Sequence, residues 1–304
     1  MGEQIPEKNT GFRRWWSMMR PHTLTASFVP VTLGTALALP SGKLNIPLFI
    51  AMLIASMLIQ IATNLFNEYF DFKRGLDTAE SVGIGGSIVR DGFRPKMILD
   101  LALSLCFAAM LIGVYICIES SWWIAAVGSV CILTGYLYSG GPYPIAYTPF
   151  GELVSGLFMG VFIIWISFFI QTETLTLSCI LISIPIGILV GGINMANNIR
   201  DLTGDKKKGR RTLPVLLGRP KAIHLLASLF AFSYLWMIGL MAFRVESAWI
   251  LIVFASLPKA IQATRLFHGK TKSIQLMPAM KATAQMQTLF GFLLSLGLVL
   301  DHFI

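Results

Sequence analysis

Long apolar stretches alternate along this chain with shorter polar connections. An α-helix needs about 20 mostly apolar residues to cross a bilayer. Such stretches lie at 22–40, 45–66, 97–118, 122–139, 149–170, 177–198, 222–243, 247–266 and 283–303. The pattern predicts an all-α, multi-pass transmembrane helical bundle of about nine spans. Because Pro258, Lys259 and Arg265 interrupt the eighth stretch, eight or ten spans also fit.

Composition supports a membrane protein. Hydrophobic residues make up 55% of the 304 positions and charged residues 13%, whereas soluble domains carry about 25% charged residues. The composition excludes a soluble globular protein, a disordered chain and a nucleic-acid binder with a basic face.

The basic residues indicate the orientation of the chain. If the nine spans alternate sides, 22 of the 24 Lys and Arg residues lie on the side of the N-terminus, and only Lys43 and Arg244 lie opposite. Cytoplasmic connections carry such an excess of basic residues. We therefore expect a cytoplasmic N-terminus and a single domain over 1–304. Within it, 1–20 form a cytoplasmic or interfacial segment, and 12–20 a short helix among the lipid headgroups.

Two polar connections on the predicted cytoplasmic side, 67–96 and 198–221, are much longer than most others. Each follows an apolar helix that ends in the pattern N-x2-N-x3-D, which amounts to a short internal repeat. The matching pairs, 130 positions apart, are Asn64 and Asn194, Asn67 and Asn197, and Asp71 and Asp201.

Helical geometry gives this spacing a meaning. Residues i, i+3 and i+7 share one face of a helix, so Asn194, Asn197, Asp201 and Asp205 form one stripe if the helix continues that far. Gly75 is expected to end the first helix, which returns Asp77 from a loop. Lipid cannot satisfy such side chains, so both stripes should face a cavity within the protein.

Two groups of carboxylates facing one cavity would repel each other unless a cation lies between them. Mg²⁺ takes oxygen ligands and commonly joins a few carboxylates to substrate phosphates. Basic residues crowd the same segments, as expected of a site for an anionic ligand. They are Lys73, Arg74, Arg90, Arg200, Lys206, Lys207, Lys208, Arg210 and Arg211. Carboxylates, Mg²⁺ and basic residues together indicate a diphosphate site.

These motifs resemble those of the UbiA superfamily of intramembrane prenyltransferases. The resemblance rests on NLFNEYFDFKRGLD from Asn64 to Asp77 and on NNIRDLTGDKKKGRRTLPVLLG from Asn197 to Gly218. Arg20-Pro21 and GGPYPIAYTPFGE from Gly140 to Glu152 agree with it, so it covers nearly the whole chain. Within the superfamily the chain is most similar to the branch whose acceptor is 1,4-dihydroxy-2-naphthoate.

The resemblance implies transfer of a polyprenyl group from a polyprenyl diphosphate to 1,4-dihydroxy-2-naphthoate, with Mg²⁺ as cofactor. It implies catalytic carboxylates at Asp71, Asp77, Asp201 and Asp205, which hold the metal together with Asn67 and Asn197. The expected substrate-binding residues are Asn64, Asn67, Lys73, Arg74, Arg90, Tyr138, Tyr143, Asn197, Arg200, Lys206 and Arg210.

These expectations place the protein in a lipid bilayer, the plasma membrane of a bacterium, with its active site on the cytoplasmic side. No nucleic acid and no obligate protein partner is expected.

Two departures from the family pattern bear on the interpretation. Glu68 stands where the superfamily usually has Asp, and Ala146 and Tyr147 replace two cations of the hydroxybenzoate branch. The second departure favours a different aromatic acceptor. Hydroxybenzoate, homogentisate and haem remain alternative acceptors, and an organic-anion transporter is an alternative of another class. A transporter would place its site near the middle of the membrane.

Overall fold

The computed structural model describes residues 11–20, 23–42, 44–76 and 87–304, and this part of the chain is largely helical. Its α-helices are α1 (Gly11–Met19), α2 (Thr25–Leu37), α3 (Ile46–Lys73), α4 (Pro95–Glu119), α5 (Trp123–Ser139), α6 (Gly151–Ser155), α7 (Phe162–Thr172), α8 (Leu177–Lys207), α9 (Leu213–Leu217), α10 (Arg219–Ala242), α11 (Leu257–Phe267) and α12 (Ser273–Phe303). The 3₁₀ segments Leu39–Ser41, Ile145–Tyr147 and Ala248–Ser256 and the π segment Gly156–Val161 join or extend them.

Every predicted span overlaps a helical segment. Among the described residues, seven helices are long and apolar enough to cross a membrane: Ile46–Lys73, Pro95–Glu119, Gly151–Thr172, Leu177–Lys207, Arg219–Ala242, Ala248–Phe267 and Ser273–Phe303. The segments Thr25–Ser41 and Trp123–Ser139 are apolar but shorter. The multi-pass helical architecture is confirmed, while the count of nine spans stays a prediction.

Three helices extend beyond the apolar spans. Helices α3 and α8 continue past the span ends at 66 and 198, to Lys73 and Lys207, so both long connections begin as helix, in agreement with the break expected at Gly75 and with a stripe that reaches Asp205. Helix α12 begins at Ser273, ten residues before the predicted start at 283. Leu276 is buried in this first part of the helix. The Ser273 hydroxyl also donates a hydrogen bond to the carbonyl of Arg200.

Glycines bring α8 very close to the chain segment that joins α6, the π segment and α7. A Cβ atom on Gly156 would lie 2.4 Å from the carbonyl oxygen of Gly187, and one on Gly191 would lie 2.7 Å from the carbonyl oxygen of Glu152. Small residues allow such direct backbone contact between membrane helices. Helix α8 therefore forms the centre of the bundle, with the large apolar core on the side of α10, α11 and α12.

Candidate active site

A large cavity runs between α8 on one side and α3, α4 and α5 on the other. Its volume is about 1760 Å³, and apolar side chains form most of its wall. Most of the charged residues lie at the end where α3 and α8 both terminate, which we call the polar end. The charged and amide-bearing residues that line the cavity are Arg20, Gln60, Asn64, Asn67, Asp71, Asn194, Asn197, Asn198, Arg200, Asp201, Asp205, Lys208, Arg210, Lys281 and Gln285.

Both N-x2-N-x3-D stripes line this polar end. Helix α8 continues far enough to place Asp205 on the same stripe as Asn194, Asn197 and Asp201. Helix α3 ends at Lys73, and Gly75 takes a left-handed φ of 67°. The predicted break at Gly75 is therefore confirmed, whereas Asp77 lies outside the described residues.

Arg210 joins the two stripes. Its Nη2 donates to Oδ1 of Asp71 at 2.8 Å, and its Nη1 lies 3.4 Å from Oδ1 of Asp205. Burial alone would lower the pKa of the guanidinium, but Asp71 and Asp205 raise that pKa above its ordinary range. The group is therefore a permanent positive charge at the polar end.

The aromatic ring of Tyr147 packs against the guanidinium group of Arg210. The guanidinium carbon lies 4.5 Å from the centre of the Tyr147 ring, and the guanidinium of Arg74 lies 5.2 Å from the same ring. The face of an aromatic ring attracts a cation. The tyrosine that replaces a cation of the hydroxybenzoate branch thus positions an arginine that comes from another part of the chain.

Arg200 forms a second charged pair at the polar end. Its Nε and Nη2 donate to the two carboxylate oxygens of Asp201, at 2.8 and 2.6 Å. Its Nη1 lies against the sulfur atoms of Met277 and Met280 on α12, at 3.3 and 2.8 Å. The early start of α12 therefore holds Arg200 in place.

Three cations that line the cavity were missed by the sequence analysis as site residues: Arg20, Lys208 and Lys281. Arg20 was assigned to the interfacial segment, yet it lines the cavity and donates from Nη1 to Oδ1 of Asn67 at 3.4 Å. Lys208 was noted only as part of a basic run, and its ammonium group donates to the carbonyl of Leu76. The signal for Lys208 was its position three residues after Asp205, just past the end of the stripe.

Glu68 points away from the cavity. Its Oε2 accepts a hydrogen bond from Nη2 of Arg20 at 3.2 Å, and its Oε1 accepts one from the backbone N–H of Ile88. The side chain is buried at 3% exposure. This carboxylate therefore connects the segment before α2 to the segment before α4.

Several predicted binding residues lie outside the cavity lining. Arg90 forms two hydrogen bonds to the carboxylate of Asp91, both at 3.0 Å, and the bond to Asp91 raises the pKa of Arg90. Arg74 donates to the carbonyls of Ser139 and Gly141. Their guanidinium groups are thus already engaged within the protein.

The other predicted binding residues outside the lining are exposed. Lys73 and Lys206 have exposed side chains, and the Lys73 ammonium lies 5.9 Å from the centre of the Tyr69 ring. Tyr143 is 89% exposed. Lys73 and Lys206 are close to the stripes in the sequence, but none of these three side chains lines the cavity.

The polar end carries ligands that suit Mg²⁺. Its donors are carboxylate and amide oxygens, and Oδ2 of Asp205 is buried without a hydrogen-bond partner in the described part of the chain. Within that part, no three acidic, His or Cys side chains are close enough to hold a metal by themselves. Mg²⁺ does not require such a cluster, because it usually binds one or two carboxylates, several waters and substrate phosphates.

Two further hydrogen-bonded pairs involve asparagines of α8, Asn194 within the stripe and Asn198 beside it. Asn194 Nδ2 donates to the hydroxyl oxygen of Tyr138 at 2.7 Å. Asn198 Nδ2 donates to Oε1 of Glu152 at 2.9 Å. Tyr138, Asn194 and Asn198 line the cavity, and Glu152 is buried behind Asn198. The sequence analysis predicted Tyr138 but neither Asn198 nor Glu152.

Comparisons with known proteins agree with this architecture. The chain is 56% identical to 1,4-dihydroxy-2-naphthoate octaprenyltransferase of Bacillus subtilis (strain 168), over 99% of this chain and 97% of that protein. It is 28% identical to the protein of the same name from Haemophilus influenzae, over 96% and 97% of the two chains.

A solved structure has the same fold. A UbiA homologue from Archaeoglobus fulgidus, bound to DMAPP and Mg²⁺, superimposes with a TM-score of 0.64 at 14% identity, covering 93% of this chain and 99% of that one. The model of the UbiA prenyltransferase family matches residues 27–283. The chain is therefore a helical integral membrane protein that belongs to the UbiA prenyltransferase family.

Proposed function

We propose that this protein transfers a polyprenyl group from a polyprenyl diphosphate to 1,4-dihydroxy-2-naphthoate, releasing diphosphate and CO₂ and giving demethylmenaquinone in its reduced, quinol form. The observation that carries the proposal is one cavity with two chemical environments. Two carboxylate stripes and several cations occupy its polar end, and most of the rest of its wall is apolar. A long isoprenoid diphosphate likewise has a charged diphosphate group at one end and a long apolar chain. The name of the Bacillus subtilis relative supports the choice of acceptor.

The diphosphate would lie at the polar end. Asp71, Asp201 and Asp205 would hold Mg²⁺ there together with Asn67 and Asn197, and Asp77 would join them from outside the described residues. Bound Mg²⁺ supplies positive charge to the departing diphosphate. The presence of Mg²⁺ and DMAPP in the Archaeoglobus fulgidus homologue supports this assignment.

The protein's own cations share that task. Arg20, Arg200, Lys208 and Arg210 line the polar end, and arginine binds phosphate oxygens through two parallel hydrogen bonds. The carboxylate partners of Arg200 and Arg210 keep both guanidinium groups in place before substrate arrives. Fixed charge of this kind stabilises the transition state without reorganisation.

The prenyl chain would lie along α5. Residues of α5 line the cavity from Ile124 to Tyr138, which at 1.5 Å per residue is about 21 Å of helix. Gly128 of α5 and Gly113 of α4 line the cavity with open space around them, so neither position narrows it. Burial of each CH₂ contributes about 0.8 kcal/mol, so the tail supplies binding energy that keeps the diphosphate at the polar end.

The acceptor ring would lie between the diphosphate and Tyr138. Departure of the diphosphate leaves an allylic carbocation, which the electron-rich naphthoate ring attacks at the carbon that bears the carboxylate. Breaking the bond to the carboxylate releases CO₂, and its electron pair restores the aromatic ring, which leaves the product as a quinol. An enclosed apolar cavity excludes the water that would otherwise capture the cation.

The polar end would face the cytoplasm, where the basic connections lie. It is formed by the same segments that carry most of the Lys and Arg residues, and such an excess marks the cytoplasmic side. The protein would act in a bacterial plasma membrane as one domain, without an obligate protein partner.

A reconstituted assay tests the proposal. Purified protein in nanodiscs receives 1,4-dihydroxy-2-naphthoate labelled in its carboxyl group and a polyprenyl diphosphate, with Mg²⁺ or with EDTA. We expect labelled CO₂ and a lipid-soluble product only with Mg²⁺. Parallel reactions with 4-hydroxybenzoate and homogentisate identify the acceptor. Folded protein that prenylates one of these and not the naphthoate would overturn the acceptor assignment, and one that prenylates none would overturn the proposed activity.

A further inference from the structure

Glu152 is a buried carboxylate that neither stripe accounts for. Its side chain lies behind the cavity wall with 7% exposure, and its Oε1 accepts the hydrogen bond from Asn198. Its Oε2 is buried and has no hydrogen-bond partner among the described residues. A carboxylate left in this state is costly to bury, so a structural role alone gives no reason for a charged side chain here.

The backbone fixes Glu152 firmly against α8. Gly191 lets the Glu152 carbonyl approach α8 so closely that a Cβ would meet it at 2.7 Å. Asn198 lies seven residues, or two helical turns, after Gly191 on the same side of α8. The π segment Gly156–Val161 begins one turn after Glu152, and π segments within α-helices frequently occur at functional sites.

The carboxylate determines which way the Asn198 amide faces. The NH₂ group of Asn198 faces Glu152, because its Nδ2 donates a hydrogen bond to Oε1 of that carboxylate. Its carbonyl oxygen, a hydrogen-bond acceptor, is then available to the cavity that Asn198 lines. Without a carboxylate behind it, either end of the amide could face the cavity.

The neighbouring pair provides the opposite polarity. Asn194 donates to the Tyr138 hydroxyl oxygen, which leaves the hydroxyl proton of Tyr138 to be donated elsewhere. Asn194 and Asn198 are one turn apart, so their Cβ atoms are separated by about 5–6 Å. The cavity wall therefore offers one acceptor, the Asn198 carbonyl, and one donor, the Tyr138 hydroxyl, from two hydrogen-bonded pairs whose asparagines are one helical turn apart on α8.

We propose that Glu152 is a positioning residue that orients Asn198, so that the Asn198 carbonyl accepts a hydrogen bond from a ring hydroxyl of the aromatic acceptor while the Tyr138 hydroxyl donates to a second polar group of the same ring. The proposal rests on the proposed function. A hydrogen bond from the ring hydroxyl to this carbonyl favours the electron-rich ring that attacks the allylic carbon. Glu152 acts through Asn198 and does not itself touch the substrate.

The test is Glu152→Gln, which keeps the shape of the side chain but lets the Asn198 amide face either way. We expect the KM for the naphthoate to rise about tenfold, the effect of losing one good hydrogen bond. The KM for the polyprenyl diphosphate and the Mg²⁺ dependence should stay within about twofold of the wild type. The matched control is Glu246→Gln, the same change at a partly buried glutamate that bonds to Ser178 away from the cavity.

A double variant separates positioning from general packing. If Glu152 acts through Asn198, adding Glu152→Gln to Asn198→Ala should raise the naphthoate KM no further. Additive effects, an unchanged naphthoate KM, or equal rises in both substrate KM values would overturn the proposal. The KM for the diphosphate also reports folding, because a misfolded variant would lose both sites.

A binding measurement keeps this proposal separable from the proposed function. Calorimetry follows the naphthoate binding to wild-type protein and to Glu152→Gln protein, each saturated with Mg²⁺ and an unreactive thio-analogue of the polyprenyl diphosphate. If the wild type binds the naphthoate without prenylating it, the proposed reaction fails and the ratio of the two Kd values decides the role of Glu152. If the wild type binds no naphthoate, both proposals fail.

Discussion

The ends of α3 and α8 carry the same N-x2-N-x3-D pattern but end it differently. In both helices a left-handed glycine terminates the last turn, with φ of 67° at Gly75 and 75° at Gly209. In both, the residue after that glycine returns its N–H to a carbonyl of the last turn, from Leu76 to Asp71 and from Arg210 to Asp205. This is the Schellman arrangement. The termination is the same, but it comes one turn later in α8.

Because of the extra turn in α8, the two stripes have different charged residues at the polar end. In α8 it places Asp205 beside Asp201 on the helix, and it brings Arg210 to the point where its side chain reaches back to both stripes. In α3 the helix ends before an equivalent carboxylate, so the first stripe takes its cations from elsewhere, from Arg20 and Arg210. A local repeat has thus become an asymmetric site through the position of one glycine.

The largest expected effect is loss of the carboxylates common to both stripes. Asp71→Ala and Asp201→Ala should each lower kcat/KM by about 10²–10³-fold, because each removes charge from the groups that would hold the metal and diphosphate. Activity should disappear in EDTA and return with added Mg²⁺. The control is Asp100→Ala, an exposed carboxylate on α4. A folded Asp71→Ala or Asp201→Ala protein with a normal rate would contradict the assignment.

A smaller effect is expected from the residue that connects the stripes. Arg210→Ala should lower kcat/KM by about 10²-fold, because it removes a cation and leaves Asp71 and Asp205 facing each other without it. Arg211→Ala is the control, since its side chain is exposed one position further along. Steady-state kinetics in nanodiscs measure kcat/KM for both variants. Equal kcat/KM values would show that Arg210 does not belong to the site.

The cation that belongs to the first stripe alone should have a weaker effect. Arg20→Ala is expected to raise the KM for the polyprenyl diphosphate about tenfold, the effect of one lost charge-assisted hydrogen bond. It should leave the KM for the naphthoate within about twofold. Arg94→Ala, an exposed arginine just before α4, provides the comparison. If Arg20→Ala changes the naphthoate KM instead, Arg20 lies against the acceptor.

The smallest effect concerns the terminating glycines. Gly75→Ala and Gly209→Ala should each destabilise the protein by about 1–2 kcal/mol, because alanine is strained at a left-handed φ. Gly204→Ala should not destabilise it, since Gly204 lies inside α8 with open space around it and alanine favours the helix. Thermal unfolding in detergent measures the three variants. A loss of stability for Gly204→Ala equal to that for Gly75→Ala would show that φ does not explain the difference.

The local features of this site could be predicted from the sequence. Apolar length located the membrane helices, because the energy of crossing a bilayer depends on a run of neighbouring residues. Helical periodicity placed Asn194, Asn197 and Asp201 on one face, and the glycine at Gly75 predicted the end of α3. These inferences depend on contacts within one turn of a helix, so the sequence contains all the information they need.

Which side chains of different segments contact each other could be determined only from the tertiary structure. Arg20 shows this, because it reaches the cavity from 47 positions before Asn67, whereas Arg90, nearer to the first stripe in the sequence, bonds to its neighbour Asp91. Glu152 meets Asn198 only because glycines let the segments that carry them touch. The sequence determined which side chains each helix end presents, because that depends on local spacing. Packing between helices decided which charges meet, because it brings together residues that are far apart in the chain.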